Sequence, residues 1–251
     1  MASNTAARDQ FFRDHPTYPE WTAVDKYTLS NLHPSSRPNH AALEKATSNA
    51  TAKGLPAIAS STTQAKFLAL QCRMLKARHA LEIGTLAGYT AIWLATENPD
   101  LQVTTLEYNP DNAKVALENI TAAGVSTQIK CIVGPALDTM PQLHEDIKNG
   151  KKEKLDFAFI DADKSNNWNY FDWAVKMSRP GACIIVDNVV LWGYLADPEG
   201  ADKLKQFGFE GMVEGAREVV EKVGKDERVD ATVLQVVGEK GYDGFLMAVV
   251  K

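Results

Sequence analysis

Residues Leu155–Asn188 read LDFAFIDADKSNNWNYFDWAVKMSRPGACIIVDN, and the architecture of the chain can be worked out from them. The stretch holds two short apolar runs, Phe157–Ile160 and Ala182–Val186, on either side of a polar and aromatic segment of helical length. Arg179-Pro180-Gly181 is expected to close that helix. Short apolar runs that flank a helix predict a βαβ unit with two buried, parallel strands.

Both apolar runs end in acidic residues, Asp161 after the first and Asp187-Asn188 after the second. Ligands bind beyond the carboxyl ends of parallel strands, so these side chains are expected at one rim. Two carboxylates and an amide oxygen suit Mg²⁺, Ca²⁺ or Mn²⁺ better than Zn²⁺. The alternative is that they are ordinary polar residues at strand ends. Two neighbouring acidic strand ends, with Lys164 three residues after Asp161, favour a functional site.

The composition is that of one α/β domain without a nucleic-acid or membrane signature. Of 251 residues, 45% are hydrophobic, and 27 Lys and Arg stand against 32 Asp and Glu. No basic stripe predicts nucleic-acid binding, and no apolar run could span a bilayer. The dispersed Cys72, Cys131 and Cys183 do not form a disulfide framework, and the last two are expected to be buried. A reducing, cytoplasmic location is expected; Arg8 and Arg13 leave a mitochondrial presequence as the weaker alternative.

The rest of the chain extends the βαβ unit in both directions into a single domain, residues 1–251. Residues 1–60 form an N-terminal helical arm and residues 61–251 the catalytic α/β core. The first three strands are predicted at Ala80–Gly84, Gln102–Leu106 and Ile129–Val133. Residues 201–224 are mostly helical, and two final strands, Ala231–Val237 and Phe245–Val250, have too short a connection for a helical crossover. The prediction is a doubly wound, Rossmann-like, mostly parallel seven-stranded sheet with an antiparallel C-terminal hairpin.

The turn after the first strand predicts a nucleoside cofactor without phosphates. It reads Glu82-x-Gly84-x-x-x-Gly88, and Glu107 ends the second strand, where a carboxylate accepts both ribose hydroxyls. Position 86 is Leu where a dinucleotide site needs Gly for close approach to pyrophosphate. S-adenosylmethionine needs no such approach. Glu82 could help hold its ammonium group, and the Thr90 hydroxyl its carboxylate.

Several motifs together resemble one enzyme family. They are Ala80-Leu-Glu-Ile-Gly-Thr-x-x-Gly-Tyr89, Gly134-Pro-Ala-Leu137, Phe159-Ile-Asp-Ala-Asp-Lys164, Asp172 and Val186-Asp-Asn-Val189-x-x-Trp192-Gly. With the glycine turn and the terminal hairpin, they resemble class I methyltransferases. More narrowly, the chain is similar, over about residues 20–251, to the cation-dependent catechol and caffeoyl-coenzyme-A O-methyltransferases.

The resemblance implies a role for each matching residue. Asp161, Asp187 and Asn188 would bind one divalent cation, with Lys164 beside Asp161 as catalytic base or charge stabiliser. The implied cofactor contacts come from Ser60, Glu82, Gly84, Thr85, Thr90, Glu107, Ala136, Asp161 and Asp163. A homodimer is also implied. The chain departs from the family at Thr63-Gln64-Ala65, where Asp-Glu-Gly is usual, and at Glu107, where Asp is common.

The expected function is methylation of vicinal dihydroxy aromatics such as catechols, flavonoids and caffeoyl-type phenolics. A phenol has a pKa of about 10, so a bound cation would be needed to form the phenolate near neutral pH. Lys164 would also contact the substrate, and Trp192 and Tyr194 are candidates for an aromatic wall. No basic cluster is placed for the phosphates of coenzyme A, which favours free phenols over thioesters.

Three alternatives fit parts of the same pattern. A phosphohydrolase would use Asp161 as its nucleophile, because an apolar strand followed by Asp-x-Asp fits that class. A nicotinamide-dependent oxidoreductase is disfavoured by Leu86. A non-catalytic protein would bind S-adenosylmethionine without turnover.

Overall fold

The computed structural model describes Ala7 and residues 10–251, so Arg8, one of the two arginines of the presequence alternative, lies outside the described residues. A short helical stretch, residues 10–14, precedes three helices. These helices are α1 (Pro19–Leu32), α2 (His40–Ala52) and α3 (Thr62–Met74). The α3 helix begins where Ser61 Oγ accepts a hydrogen bond of 3.2 Å from the Gln64 N–H, as an N-cap does.

Five strands alternate with helices through the centre of the chain, as predicted. The strands are β1 (His79–Ile83), β2 (Gln102–Glu107), β3 (Ile129–Val133), β4 (Leu155–Ile160) and β5 (Ser178–Asp187). The helices between them are α4 (Tyr89–Glu97), α5 (Pro110–Ala122), α6 (Ala136–Lys148) and α7 (Asn167–Met177). All four pairings among these strands are parallel.

The chain ends in two further helices and a hairpin: α8 (Gly200–Gln206), α9 (Met212–Val223), β6 (Val229–Gly238) and β7 (Gly241–Val250). β7 pairs antiparallel with both β5 and β6, which gives the sheet order β3-β2-β1-β4-β5-β7-β6. The predicted seven-stranded, mostly parallel sheet with an antiparallel C-terminal pair is therefore confirmed.

The mostly helical stretch predicted over 201–224 is confirmed, with a break between α8 and α9 where Gly208 and Gly211 take φ values of 79° and 77°. Two boundaries differ from the sequence prediction. The final hairpin is tighter than expected, since only Glu239 and Lys240 separate its strands. Arg179-Pro180-Gly181, expected to close the preceding helix, belongs to β5, where the pairing with β4 is irregular between Leu155 and Phe157. A local irregularity of this kind tolerates Pro and Gly inside a strand.

Successive residues of β4 point to opposite faces of the sheet and pack into two apolar cores. Phe157 and Phe159 belong to one core, whereas Ala158 and Ile160 belong to the other. All six residues of β4 are buried, as the unbroken apolar run predicts for a central parallel strand. Cys183 is also buried, but Cys131 is only half-buried, so the prediction for Cys131 was wrong in degree.

The two arm helices α1 and α2 contact different elements of the core. In α2, Asn49 Nδ2 donates to Asn119 Oδ1 of α5 at 2.8 Å. In α1, Asp25 Oδ2 accepts from the Glu239 N–H at 2.8 Å, which ties the helix to the final hairpin.

Among the described residues, no helix is long and apolar enough to cross a bilayer.

Gly84 is fixed by a close approach between the β1 turn and the end of β4. Its φ is 99°, and an added Cβ would lie 2.1 Å from the Asp161 carbonyl oxygen. At Gly124, where φ is 73°, an added Cβ would meet no neighbouring atom within 4 Å. The two glycines share a left-handed backbone but differ in packing.

We predict that Gly84→Ala lowers the free energy of unfolding far more than Gly124→Ala. The left-handed backbone costs each variant about 1–2 kcal/mol. Overpacking adds about 1–3 kcal/mol at position 84 alone. Urea unfolding of both variants measures the difference, and equal losses would contradict the close approach.

Candidate active site

The β1 turn and the end of β2 form one hydrogen-bonded unit. Leu86 takes a φ of 49°, and its N–H donates to Glu107 Oε2 at 2.7 Å. Glu107 Oε1 accepts from the Asn109 N–H at 2.9 Å and from Asn112 Nδ2 at 3.4 Å. These bonds hold the carboxylate predicted to bind ribose, and the Glu side chain is only 6% exposed.

Glu82 lies beneath this turn in a buried polar network. Its Oε2 accepts a 2.5 Å hydrogen bond from Thr105 Oγ1, which also lies 2.5 Å from Thr85 Oγ1. Burial raises the pKa of Glu82 to about 8, and the Asp161 and Glu107 carboxylates act in the same direction, while the Thr105 hydrogen bond opposes them. Glu82 is therefore held among hydroxyls, and Thr105 is a member of this network that the sequence analysis missed.

The remaining predicted cofactor residues lie at loop and helix starts around the same sheet edge. Thr90, in the first turn of α4, donates to Ser60 Oγ at 3.2 Å, and both residues are buried. Ala136 begins α6 directly after β3. Asp163 is exposed and accepts from Tyr170 Oη at 2.5 Å and from Asn166 Nδ2 at 2.6 Å. Each of these residues thus follows or flanks the carboxyl end of a strand.

Asp161 and Asp187 follow neighbouring strands at matching positions. Ile160 of β4 pairs with Val186 of β5, so the next residue of each strand carries a carboxylate at the same rim. Asp187 is 6% exposed. Burial and the nearby Asp161 carboxylate raise the pKa of Asp187, although the Lys164 ammonium opposes them.

Lys164 brings a positive charge to this rim. Its Nζ donates to Asp161 Oδ1 at 2.8 Å, and its side chain is 7% exposed. Burial disfavours the ammonium, but the Asp161 and Asp187 carboxylates outweigh burial, so the pKa of Lys164 is raised. The backbone of Lys164 is packed under α9, because a Cβ at Gly215 would lie 1.9 Å from the Lys164 carbonyl oxygen.

Asn188 has the strained backbone that often marks a functional site, with a φ of 55°. Its Nδ2 donates to Asp243 Oδ2 at 3.1 Å, which leaves the amide oxygen for another partner. Within residues 10–251 and Ala7, no three His, Cys, Asp or Glu side chains are grouped as a metal site. The three predicted cation ligands, Asp161, Asp187 and Asn188, are not a group of that kind, because the third is an amide. Asp243 was missed, since its segment was predicted to be a connecting loop.

The loop after β5 is covered by the N-terminal segment. The ring of Trp192 lies 5.0 Å, centroid to centroid, from the ring of Phe11. Tyr194 Oη lies 2.8 Å from His15 Nε2. The two aromatic residues predicted as a substrate wall therefore contact the arm. Nothing in the local sequence around Phe11 indicated this long-range contact.

Asp172, one of the residues that carried the resemblance, lies away from the rim. It pairs with Lys176 at 2.5 Å and with Arg228 at 2.8 Å. These contacts join α7 to the segment before β6, so its role in this structure is to hold two elements together.

The seven-stranded, mostly parallel sheet with its antiparallel C-terminal pair defines a Rossmann-like α/β fold, and comparison with known proteins identifies the family. A family model described as O-methyltransferase matches residues 33–248. The chain is 51% identical to the O-methyltransferase imqG of Aspergillus flavus, with 100% of both chains covered. It is 43% identical to a catechol O-methyltransferase of Mycobacterium tuberculosis, over 84% of this chain and 89% of the relative.

A solved structure agrees with these relatives. The O-methyltransferase from Bacillus cereus in complex with SAH superposes with a TM-score of 0.82 at 44% identity, covering 92% of this chain and 99% of that one. The chain belongs to the O-methyltransferase family. The prediction of an S-adenosylmethionine-dependent O-methyltransferase is confirmed at the level of the family.

The buried Glu82 predicts how stability depends on pH. Its pKa is about 8 in the fold against an ordinary value of 4.5 for glutamate, so between these values the folded chain binds more protons than the unfolded chain. The Glu82 contribution to stability is therefore present at low pH and is lost as pH rises through this window. The loss has a slope of at most about 1.4 kcal/mol per pH unit.

We predict that Glu82→Gln flattens the fall in stability between pH about 5 and about 8, because the titrating group is gone. Urea unfolding across this window compares it with wild type and with Glu153→Gln, a control at an exposed glutamate. Wild type and Glu82→Gln curves of the same shape would show that Glu82 is not held as a buried acid.

Proposed function

We propose that the chain is an S-adenosylmethionine-dependent and divalent-cation-dependent O-methyltransferase that acts on vicinal dihydroxy aromatics. The observation that carries the proposal is the rim itself, where β4 and β5 end in Asp161 and Asp187 beside the buried ammonium of Lys164. The catechol O-methyltransferase among the relatives supports the substrate class.

The residues at the rim fit a hard divalent cation. Asp161 and Asp187 supply carboxylate oxygens, and the amide nitrogen of Asn188 is engaged by Asp243, which leaves the amide oxygen as a third donor. Oxygen donors of this kind are preferred by Mg²⁺ and Mn²⁺. Asp187 is nearly inaccessible, and a buried carboxylate is costly unless a positive charge accompanies it. Mg²⁺ is the ion we propose, with Mn²⁺ and Ca²⁺ as substitutes.

The cofactor site is proposed at the β1 turn. Glu107 would accept the two ribose hydroxyls, because its carboxylate is already aligned by the Leu86 and Asn109 N–H groups. Thr90 and Ser60, joined by a 3.2 Å hydrogen bond, would receive the carboxylate end of the cofactor. The other proposed contacts are Glu82, Gly84, Thr85, Ala136, Asp161 and Asp163. No phosphate group is required by this set, in agreement with Leu86 in the turn.

When bound, S-adenosylmethionine supplies an electrophilic methyl group and the cation supplies the Lewis acidity that lowers the pKa of a phenol. The chain's own contribution is positioning and charge. Lys164 Nζ, held as an ammonium 2.8 Å from Asp161, stabilises negative charge on the attacking phenolic oxygen. The carboxylates that raise the pKa of Lys164 are the proposed cation ligands, so a bound cation would lower that pKa again and leave the role of catalytic base open.

The aromatic loop is proposed to bind the flat face of the substrate. Trp192 and Tyr194 lie on the segment that follows Asn188, and their contacts with Phe11 and His15 fix that segment under the arm. Ordered rings restrict how an aromatic diol can lie, which raises the fraction of productive orientations. Family membership leaves the phosphohydrolase, oxidoreductase and non-catalytic alternatives without a supporting observation.

A homodimer is proposed through the β6 edge and α1. β6 is the outer strand of the sheet, and Leu234 and Val236, on one face of it, are 43% and 44% exposed. α1 contacts the same hairpin, buries none of its residues and exposes Val24 and Tyr27 by 61% and 73%. An exposed edge strand beside an apolar helix face is the kind of surface that a second copy covers.

We predict that methylation of a catechol stops in excess chelator and returns with Mg²⁺ or Mn²⁺. Asp187→Ala should abolish turnover, because the remaining oxygens hold a six-coordinate cation poorly. The matched monophenol should react slowly in wild type, since one hydroxyl cannot chelate. Methyl transfer from labelled S-adenosylmethionine measures all three. Equal rates on both phenols, or full activity in chelator, would mean that the rim oxygens are structural.

Lys164→Ala separates catalysis from binding in the same assay. The variant should bind cofactor and cation yet lose about 10²–10⁴-fold in kcat, because its charge acts in the transition state. Lys176→Ala is the matched control, since that lysine pairs with Asp172 away from the rim. A loss confined to KM would assign Lys164 to substrate binding alone.

We predict a sedimentation mass of twice the single chain at micromolar concentration. Val236→Lys should yield monomers, because a charge would be buried at the edge-strand contact. Leu117→Lys, at an apolar residue on α5 that is 47% exposed, is the control and should remain dimeric. A wild-type mass of one chain throughout would reject the interface.

A further inference from the structure

Asp243 is the centre of a hydrogen-bonded loop at the end of β5. Its Oδ1 accepts from the N–H groups of Val190 at 3.2 Å, Leu191 at 2.9 Å and Gly244 at 2.8 Å. Its Oδ2 accepts from Asn188 Nδ2 at 3.1 Å. One carboxylate on β7 therefore binds both the backbone and a side chain of the segment that follows Asp187.

That segment has a backbone that needs such support. Asn188, Leu191 and Trp192 all have positive φ values, 55°, 54° and 55°. Left-handed non-glycine residues cost free energy and persist where surrounding contacts determine them. The Val189 N–H also donates to the Gly244 carbonyl at 3.0 Å, so β7 supports the segment through both backbone and side chain.

The chemistry of the pair decides which way the Asn188 amide points. In the structure the amide presents its NH₂ group to Asp243 Oδ2 at 3.1 Å, and a carboxylate that accepts three backbone N–H groups through its other oxygen is matched by a donor there. The amide oxygen is then the end that remains, on a residue adjacent to Asp187. An amide without this partner could rotate and turn its NH₂ group, which a cation repels, towards the rim.

We propose that Asp243 is a positioning residue for the cation site. It fixes the amide of Asn188 so that oxygen, and not NH₂, faces the carboxylates of Asp161 and Asp187. The inference rests on the cation site of the proposed function. It adds to that function a role for Asp243, which would set the orientation of the Asn188 amide without itself touching the cation. Carboxylates that orient metal ligands in this way affect affinity without contacting the metal.

The test is Asp243→Asn, measured by binding of Mn²⁺ alone in calorimetry. The new amide can still accept from the Leu191 N–H with its oxygen, so its NH₂ group faces Asn188. Asn188 must then rotate to accept that bond, and it presents its own NH₂ group to the rim. We expect Mn²⁺ affinity to fall about 10–100-fold. Unchanged affinity would overturn the proposal.

Exchanging the two side chains should restore binding. In the double variant Asn188→Asp with Asp243→Asn, the amide at 243 donates to the carboxylate at 188, whose second oxygen faces the rim. The donor–acceptor pair is restored and the net charge is that of wild type, so we expect Mn²⁺ affinity to recover at least to the wild-type value, because the donor at 188 is now a carboxylate. A double variant that binds no better than Asp243→Asn would overturn the proposal.

Asn188→Asp alone separates orientation from charge. It adds a negative charge near the cation but sets two carboxylates against each other across the 3.1 Å contact. If the orientation of the side chain at 188 governs affinity, Asn188→Asp alone should bind Mn²⁺ more weakly than the double variant, because its two facing carboxylates repel and disrupt the loop. If charge alone governed affinity, the single variant would bind more tightly than the exchanged pair, and the proposal would fail.

Two controls keep failure of this proposal distinct from failure of the cation site. Asp230→Asn removes an exposed carboxylate on β6 and should leave Mn²⁺ affinity unchanged. S-adenosylmethionine binding to each variant shows that the β1 turn is intact. Wild type that binds no Mn²⁺ would overturn the cation site together with this inference, whereas loss in Asp161→Ala but not in Asp243→Asn would overturn this inference alone.

Discussion

The pairing of Ile160 with Val186 places two carboxylates side by side at the end of a buried parallel sheet. Neighbouring strands lie about 4.8 Å apart, so Asp161 and Asp187 cannot separate without breaking the register. Burial and the like charge of Asp161 both raise the pKa of Asp187. A positive charge beside the two carboxylates offsets their repulsion. Lys164 supplies one such charge in this structure.

The turn after β1 is built around the same sheet edge. Gly84 lets the turn pass against the Asp161 carbonyl, which brings the cofactor side and the rim into contact. Glu107 reaches back to the turn through the Leu86 N–H. Sites of this kind combine strained backbone with buried charge, and the surrounding sheet supplies the stability that they cost. In the proposed reaction, this proximity allows a methyl donor and a diol to meet.

The sequence was sufficient wherever short-range chemistry determined the structure. Apolar runs predicted the central strands, and the acidic residues that end β4 and β5 were placed at one rim, as the parallel register requires. Alternation with helices predicted a doubly wound, mostly parallel sheet, whereas the order of its strands came from the structure. The start of β5 was not predictable, because Pro180 and Gly181 normally end a strand, and only the irregular pairing with Leu155 and Phe157 accommodates them.

Long-range contacts of single side chains could not be predicted from sequence. Asp243 lies in a glycine-rich segment that predicts a loop, and its bond to Asn188 depends on the antiparallel pairing of β7 with β5. The contact of His15 with Tyr194 joins residues far apart in the chain, and neither position carries a local signal. Residues that act through others are found only when the fold brings their partners together.

In the proposed site, three oxygen side chains at the β4 and β5 ends hold one cation whose coordination a diol completes. An anomalous difference map from crystals grown with Mn²⁺, S-adenosylhomocysteine and a catechol tests this site. We expect one peak per chain, bonded to Asp161, Asp187 and the amide oxygen of Asn188 at about 2.0–2.3 Å, with both catechol oxygens on the same ion. A peak elsewhere, no peak at the rim, or a catechol bound without contact to the ion would contradict the proposed site.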